Sequence, residues 1–391
     1  MVLQTIVYAV LILAALPLGM TVWNLVLYRP PAPGGGHARK EVEPDTPGVP
    51  KVSVLIPARD EEAGIADALR AAAASADGVD AEFLVLDDQS TDRTPEIVTK
   101  LAQEDPRIRL ESSNPLPEGW CGKQHACWQL AQRAQHDTLV WIDADVRLEP
   151  GALLAVSHQL QRSGAGLVSG VPRQETGTLA ERLIVHLIPL VLLGYLPMAM
   201  MRRSTSPGFG AGCGQLFVAD RAAYETAQGH AAPTVRASMH DGVTLPRAFR
   251  LAEQKTDLFD ATPVARCRMY RGLGETWRGF AKNATEGMAT PGAIGVWTVL
   301  LLGGHVLPSV LFALWALGVD ALAPHGRWIV KAFGMAGLLS VLLAVRFRQG
   351  WQAALLRPGG VILLVAIQWY ALGRKLRGHR PAWRGRDYAA G

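Results

Sequence analysis

The chain has 391 residues, 49% of them hydrophobic, with 39 Lys and Arg against 34 Asp and Glu, a net charge of +5. That length allows one large domain or two ordinary ones, and the apolar excess, concentrated at the N-terminus and after Ala293, points to membrane segments. Basic residues peak at 266–282 and 374–386 but form no stripe interleaved with aromatics, which excludes nucleic acid as a partner, and the four cysteines contain no C-x-x-C pair, which leaves reduced thiols rather than a disulfide framework or a zinc site.

Residues 4–28 form an almost wholly apolar run with no charge, long enough to cross a bilayer. No basic stretch precedes the run and Arg29 follows it, so residues 1–28 are expected to be an uncleaved anchor with the N-terminus outside. Residues 29–50, rich in Pro, Gly and charge, read as a linker. From Lys51 short β-rich runs alternate with helical stretches: VSVLIP (52–57), a helix over 61–75, EFLVLD (82–87), a helix over 95–104, a short strand at 108–110, a helix over 122–135, TLVWID (138–143), a helix over 151–162, then GLVSGVP. This spacing predicts a mostly parallel sheet covered on both faces, in a cytoplasmic domain over residues 51–290.

Residues 183–201 are apolar but contain Pro189 and Pro197. They suit a single crossing or an interfacial segment. Further spans are expected at 293–319, 329–345 and 353–373, giving C-terminal membrane helices over 291–373 and a basic cytoplasmic tail over 374–391. Three full crossings would put that tail outside, against the positive-inside expectation. Either one of the three is re-entrant or interfacial, or the count differs.

In an open parallel sheet, ligands bind at the carboxyl ends of the strands. Pro57, Ala58, Arg59, Asp60 and Glu61 follow the first predicted strand, Asp87 and Asp88 end the second, and Asp143 and Asp145 end the WID strand. Two carboxylates one residue apart can converge on Mg²⁺ or Mn²⁺, which would neutralise a diphosphate leaving group. Neither G-x-G-x-x-G after the first strand nor a P-loop is present, so phosphate must be held by metal and by basic groups such as Lys123. Asp241, beside His240, could take the proton of an incoming hydroxyl. Taken singly, the D-x-D suits a solvated turn, Lys123 an exposed helix start, and Asp241 a helix N-cap. The glycines of PGFGAGCGQLF (207–217) suit either a flexible loop or close approach of backbone to a ligand.

Together VSVLIPARDEE, VLDDQSTDRT, GWCGKQHAC, WIDADV and HDG, in this order over residues 52–242, resemble the inverting family 2 glycosyltransferases of the nucleotide-diphospho-sugar transferase (GT-A-like) fold. CRMYRGLGETWRGFAKN (267–283), the C-terminal apolar segments and AWRGRDY (382–388) are similar to membrane-bound members that glycosylate carotenoid acids, and hopanoid-associated members look related. The resemblance implies that Pro57, Ala58, Arg59 and Glu61 form the first nucleotide-binding loop, with Asp60 where many members have Asn. It assigns Asp87 and Asp88 to the uracil and ribose, Lys123 and Asp143 to the donor, Asp143 and Asp145 to the metal with Asp145 as direct ligand, and Asp241 to general-base catalysis. Arg268, Tyr270, Trp277 and Arg278 would line the acceptor region. The Q-x-x-R-W signature of processive synthases is absent, which argues against a polysaccharide synthase. The implied partners are a UDP-sugar, a lipid acceptor and the inner-membrane bilayer, with the catalytic domain facing the cytoplasm. The competing readings are a polyprenyl-phosphate glycosyltransferase and a catalytically silent membrane scaffold. If Asp145 and Asp241 meet at one donor, residues 183–201 between them must lie on or dip into the bilayer rather than cross it.

Overall fold

The computed structural model describes residues 1–32, 48–379, 382–383 and 386–387; residues 33–47 of the expected linker and most of the basic tail past residue 379 lie outside the described residues. In chain order, α1 (Val2–Leu27) is followed by β1 (Lys51–Ala58), α2 (Ile65–Ala74), β2 (Asp80–Asp87), α3 (Thr94–Glu104), β3 (Ile108–Ser112), α4 (Gly122–Arg133), β4 (Thr138–Ile142), β5 (Val146–Leu148), α5 (Ala152–Ser163), β6 (Leu167–Val171) and β7 (Arg173–Gln174). Next come α6 (Leu179–Ile184), α7 (Ile188–Tyr195), α8 (Met198–Arg203), β8 (Leu216–Asp220), α9 (Arg221–Thr226), α10 (Pro233–Arg236), α11 (Asp241–Leu251), β9 (Thr256–Asp260) and β10 (Ala265–Cys267). The last helices are α12 (Leu273–Ala284), α13 (Ile294–Leu301), α14 (Leu307–Ala316), α15 (Gly326–Arg346), α16 (Trp351–Leu355) and α17 (Arg357–Leu376). These elements group into two compact units.

The sheet unit, chiefly Tyr28–Glu175 and Met198–Met269, holds a seven-stranded sheet in the order β3-β2-β1-β4-β8-β6-β9. β3, β2, β1 and β4 run parallel; β8 enters antiparallel to both β4 and β6. Successive side chains of one strand feed opposite faces. Val54 and Ile56 of β1 pack with Ile65 and Leu69 of α2, Val98 of α3 and Val156 of α5, whereas Leu55 packs with Leu130 of α4, Trp141 of β4 and Phe249 of α11. Burial on both faces is why β1 reads as a continuous apolar run rather than an alternating one. Pro57 lies past Leu55, the last residue of β1 that pairs with β4, where a residue without an N–H is tolerated. A three-stranded sheet of β5, β10 and β7 lies beside the main one in sequence, β5 leaving directly from the D-x-D turn.

The sequence correctly anticipated the first four strands, but two corrections follow. The helix expected from residue 61 begins at Ile65, because residues 59–64 form the loop after β1. Strands β8 and β9 were not anticipated, and β8 makes the sheet mixed.

The helical unit comprises Met1–Leu27, Thr176–Pro197 and Tyr270–His379. Residues 176–197 and 270–290, expected within the sheet domain, group here. The stretch from 183 to 201 is no single helix: α6 gives way to a 3₁₀ turn (Val185–Leu187), then α7, with a break before α8. Thr178 caps α6 by accepting from the Glu181 N–H. Asn24 of the otherwise apolar α1 donates from Nδ2 to the carbonyls of Leu193 (2.8 Å) and Leu196 (2.7 Å), capping the end of α7. Between α13 and α14 the helix widens into a π turn over Leu302–Val306. The Tyr195 hydroxyl reaches the Leu300 carbonyl there (3.3 Å) and His305 Nε2 (2.9 Å), and Gly304 lies so close to α1 that a Cβ would sit 2.6 Å from the Leu13 carbonyl oxygen.

Among the described residues three helices are long and apolar enough to cross a membrane: Val2–Leu27, Ile294–Ala316 and Asp320–Arg346. The fourth expected span, 353–373, is not one of them. It is split into α16 and α17, and α17 carries Arg357, Gln368, Arg374 and Lys375.

Candidate active site

The carboxyl ends of β2, β1 and β4 are adjacent, and each ends in residues singled out from the sequence. The loop after β1 is stitched to the loop after β2. Arg59 donates to the Asp88 carbonyl (2.5 Å), Glu61 N–H to Thr94 Oγ1 (2.9 Å), and Asp60 Oδ1 accepts from the Thr91 N–H (2.7 Å). Asp60 has φ of 53°, a left-handed conformation that Asn and Asp tolerate better than most residues, so its departure from Asn costs the turn little. Asp87 accepts from the Ser90 N–H at 3.3 Å, and Asp88 is buried. Pro57, Ala58, Arg59, Glu61, Asp87 and Asp88 thus form one rim.

Beside that rim, Lys123 donates from Nζ to Asp143 Oδ1 (2.8 Å) and to Asp241 Oδ2 (2.9 Å). These three residues come from the first turn of α4, the end of β4 and the first turn of α11. Two tethers bring α4 to the segment before α11: Cys121 N–H donates to the Arg236 carbonyl (2.7 Å) and Gln124 Nε2 to the Ser238 carbonyl (3.2 Å). Lys123 is therefore not the solvated lysine of an ordinary helix start, and its side chain is only 19% exposed. Asp241 is the first residue of α11 rather than its N-cap; His240 precedes it and no side chain caps the helix. Gly214 packs on the carboxylate so closely that a Cβ there would lie 2.1 Å from Asp241 Oδ1. The glycines of 207–217 are thus packed against the site: Gly210 meets Arg247, Gly212 meets Ser169, and Gly214 meets Asp241.

The turn Asp143–Ala144–Asp145 is held from two sides. Asp143 N–H donates to the Gln215 carbonyl (3.3 Å). Arg147 donates to the carbonyls of Ala144 (2.9 Å) and Val146 (3.0 Å) with one nitrogen and to Gly64 (2.9 Å) with the other, tying the D-x-D to the β1 loop. Gln215 and Arg147 were not singled out from the sequence. Arg147 stands two residues past the motif, but a clamp onto carbonyls 83 residues away leaves no local signal.

Three carboxylates, Asp143, Asp145 and Asp241, surround one ammonium, so the cluster carries excess negative charge. Burial pushes the Asp143 carboxyl up to about 6; Lys123 opposes the rise, while Asp145 and Asp241 add to it. Burial would also raise Asp241, but Lys123, with His230 and His240, outweighs it and holds that carboxyl below the usual range. Burial disfavours the charged Lys123, yet Asp143 and Asp241 outweigh it and hold the ammonium well above its ordinary value.

The donor set fits a divalent cation. Asp145 Oδ1 is buried without a hydrogen-bond partner, a costly arrangement for a carboxylate unless a cation completes it. Among the described residues no group of three or more His, Cys, Asp or Glu could hold a metal ion. The arrangement matches Mg²⁺ or Mn²⁺ held by one or two carboxylates, with substrate phosphate and water supplying the rest.

The residues expected to line an acceptor divide between the units. Arg268 follows β10 in the sheet unit. Tyr270, Trp277 and Arg278 belong to the helical unit, where the Trp277 ring meets Tyr370 edge-on at 5.4 Å and Tyr270 packs against Phe280.

A mostly parallel sheet flanked by helices, with an acidic cluster at the carboxyl ends of its central strands, defines the nucleotide-diphospho-sugar transferase class of fold. A mannosyltransferase from Pyrobaculum calidifontis, solved with GDP-Man and Mn²⁺, shares it: 17% identity, 95% of this chain and 99% of that one, TM-score 0.52. The family model described as Glycosyl transferase family 2 matches residues 53–226, and those residues are a family 2 glycosyltransferase domain. The chain is 28% identical over 242 residues to the 4,4'-diaponeurosporenoate glycosyltransferase of Staphylococcus haemolyticus, covering 61% of this chain and 62% of that relative's length. It is 24% identical over 305 residues to the protein of the same name from Staphylococcus aureus, covering 76% of this chain and 70% of that one.

Proposed function

We propose that this chain is a membrane-bound inverting glycosyltransferase that moves a sugar from a nucleotide-diphospho-sugar, a UDP-sugar in the first instance, to a lipid acceptor of carotenoid or hopanoid type. The observation that carries this reading is Lys123 bridging Asp143 and Asp241 at the carboxyl ends of the parallel strands. Pro57, Ala58, Arg59, Glu61, Asp87 and Asp88 bind the nucleoside. Asp145 and Asp143 hold the metal, whose chemistry is to neutralise charge on the diphosphate.

At rest Lys123 keeps Asp241 a weak base. A donor diphosphate draws the ammonium toward its own oxygens, and Asp241 loses the charge that held its carboxyl down. It then accepts the proton of the acceptor hydroxyl as the acceptor oxygen bonds to the anomeric carbon. The bond from that carbon to the diphosphate breaks on the opposite face, and the nucleoside diphosphate leaves with the electron pair. One displacement inverts the configuration.

The acceptor's chemistry changes what Asp241 must do. A hydroxyl acceptor needs a base. A carboxylate acceptor, as the name of the staphylococcal relatives indicates for those proteins, arrives without a proton to lose. Replacing Asp241 by Asn therefore separates the two: transfer to a hydroxyl falls by about 10²–10⁴-fold, whereas transfer to a carboxylate survives far better.

The test uses full-length protein in lipid nanodiscs with Mn²⁺, a panel of UDP- and GDP-sugars and a membrane-lipid extract, with products read by mass spectrometry. A sugar-bearing lipid that disappears in excess EDTA supports the proposal and identifies both substrates. Turnover undiminished by EDTA removes the metal assignment. No product from any donor, with the protein folded, favours the silent scaffold, and product only with added polyprenyl phosphate favours the polyprenyl-phosphate enzyme.

A further inference from the structure

Within the helical unit a second cluster of cationic side chains plays no part in the reaction above. Arg357, at the start of α17, is 2% exposed, and its Nε and Nη1 have no hydrogen-bond partner; Nη2 only reaches the Ser340 carbonyl at 3.4 Å. It lines a cleft together with Arg182 and Leu183 of α6, His186 of the 3₁₀ turn, and Gln352 and Leu356. His186 is 6% exposed and its Nδ1 also lacks a partner. Burial, with Arg357 and Arg182 nearby, pushes His186 down to about 4, so at neutral pH the ring is uncharged.

No carboxylate among the described residues pairs with Arg182 or Arg357. The nearest in sequence, Glu181, takes the Gly177 N–H (2.6 Å), the Thr178 hydroxyl (2.7 Å) and the Gly272 N–H (2.7 Å) instead. An unpaired buried guanidinium is among the costliest groups a fold can carry. The cleft admits no water-sized sphere with the side chains as placed, so water does not meet the need. The close approach is built in: Gly360 lets α17 press against α6, and a Cβ there would lie 2.2 Å from the Leu183 carbonyl oxygen. Around the cleft, α16 exposes Trp351 (71%) and Leu355 (67%), the amphipathic and apolar anchors typical of a bilayer interface.

We propose that Arg182, His186 and Arg357 form a binding site for the oxyanion head, phosphate or carboxylate, of a membrane amphiphile, with Arg182 swinging aside to admit it. Arg357 supplies two free N–H donors in a fixed fork, the geometry that recognises such groups. The apolar flank of Leu183, Leu187 and Leu356 receives the upper part of the chain.

The experiment measures binding, not turnover, and so stands apart from the reading of the active site. Full-length protein in neutral detergent is mixed with dioleoyl phosphatidate, palmitate, methyl palmitate or inorganic phosphate, and native mass spectrometry counts adducts. Phosphatidate, palmitate or both should bind once per chain, and which of them binds identifies the natural head group. Methyl palmitate should bind at least about tenfold more weakly, the size expected for one charge-assisted hydrogen bond. Arg357→Gln should reduce binding by a similar factor, while Arg348→Gln, at an exposed arginine in the same unit, should not. Should Arg357→Gln fail to fold, Arg182→Gln at its half-buried position reads the same site. The proposal is overturned if the ester binds as well as the anions, if inorganic phosphate binds as tightly as phosphatidate, or if a folded arginine variant binds like wild type.

Discussion

Lys123 is the residue on which the site's electrostatics turn, because two carboxylates depend on one ammonium. Replacing it by Met leaves Asp143 and Asp241 buried without a counter-charge, which costs about 3–5 kcal/mol; chemical denaturation measures the loss. Adding Asp241→Asn to that variant should restore part of the stability and none of the activity. Asp143 sets the pH response. Its carboxyl is raised to about 6 from the ordinary 3.8, so the folded state holds this proton more tightly than the unfolded chain. The stability it contributes is full below the unfolded value and is lost as pH rises through about 6. A divalent cation needs the ionised form, so it competes with that proton. The rise in Tm produced by Mn²⁺ should therefore grow between about pH 5 and pH 7, and Asp143→Asn should flatten that growth. A Mn²⁺ shift independent of pH in the wild-type protein would remove Asp143 from the metal site. Asp145→Ala, lacking the orphaned oxygen, should lose activity that excess Mg²⁺ or Mn²⁺ does not restore.

Among the elements, the turn after β4 is positioned by partners distant in sequence. Arg147→Lys keeps the charge but not the fork that spans Ala144, Val146 and Gly64. The variant should raise the donor KM more than it lowers kcat, and initial rates against donor concentration decide it. Gly214→Ala forces the Asp241 carboxylate to move and should depress kcat while nucleotide binding persists, as separate calorimetric titration with the nucleoside diphosphate would record. These two residues also mark what the sequence conceals. The strands that end in acids were legible because continuous apolar runs and intervening helices are local patterns, and the carboxyl-end rule then gathered Asp87, Asp88, Asp143 and Asp145. Strand β8 was not: QLFVAD is a short apolar run behind a glycine loop, and its antiparallel entry between β4 and β6 is decided by tertiary pairing. Lys123 and Asp241 were each singled out, but the ion pair between them depends on backbone bonds from Cys121 and Gln124 to residues more than a hundred positions away.

For the molecule as a whole, three candidate crossings replace the four expected from hydropathy along the sequence. One precedes the sheet unit and two follow it. The later pair would leave the chain and return it, so the chain past α15 ends on the same side as the sheet unit, with the basic residues of α17's last turn inside. That removes the conflict over the tail. Reporter fusions after Gly378 and after Asp220 should report the same side; opposite sides would mean that α17 or the 183–201 segment crosses. The π turn at Leu302–Val306 adds a constraint that no hydropathy profile registers. Each helical residue advances the chain by about 100°, so deleting one residue from that turn would leave the span nearly as apolar and nearly as long while rotating everything beyond it. Leu307, Val310 and Leu314, now outward, would swing toward other neighbours. In this span a one-residue deletion acts as a change of azimuth, and homologous chains that differ there by a single residue present different sides of the same greasy cylinder to the lipid.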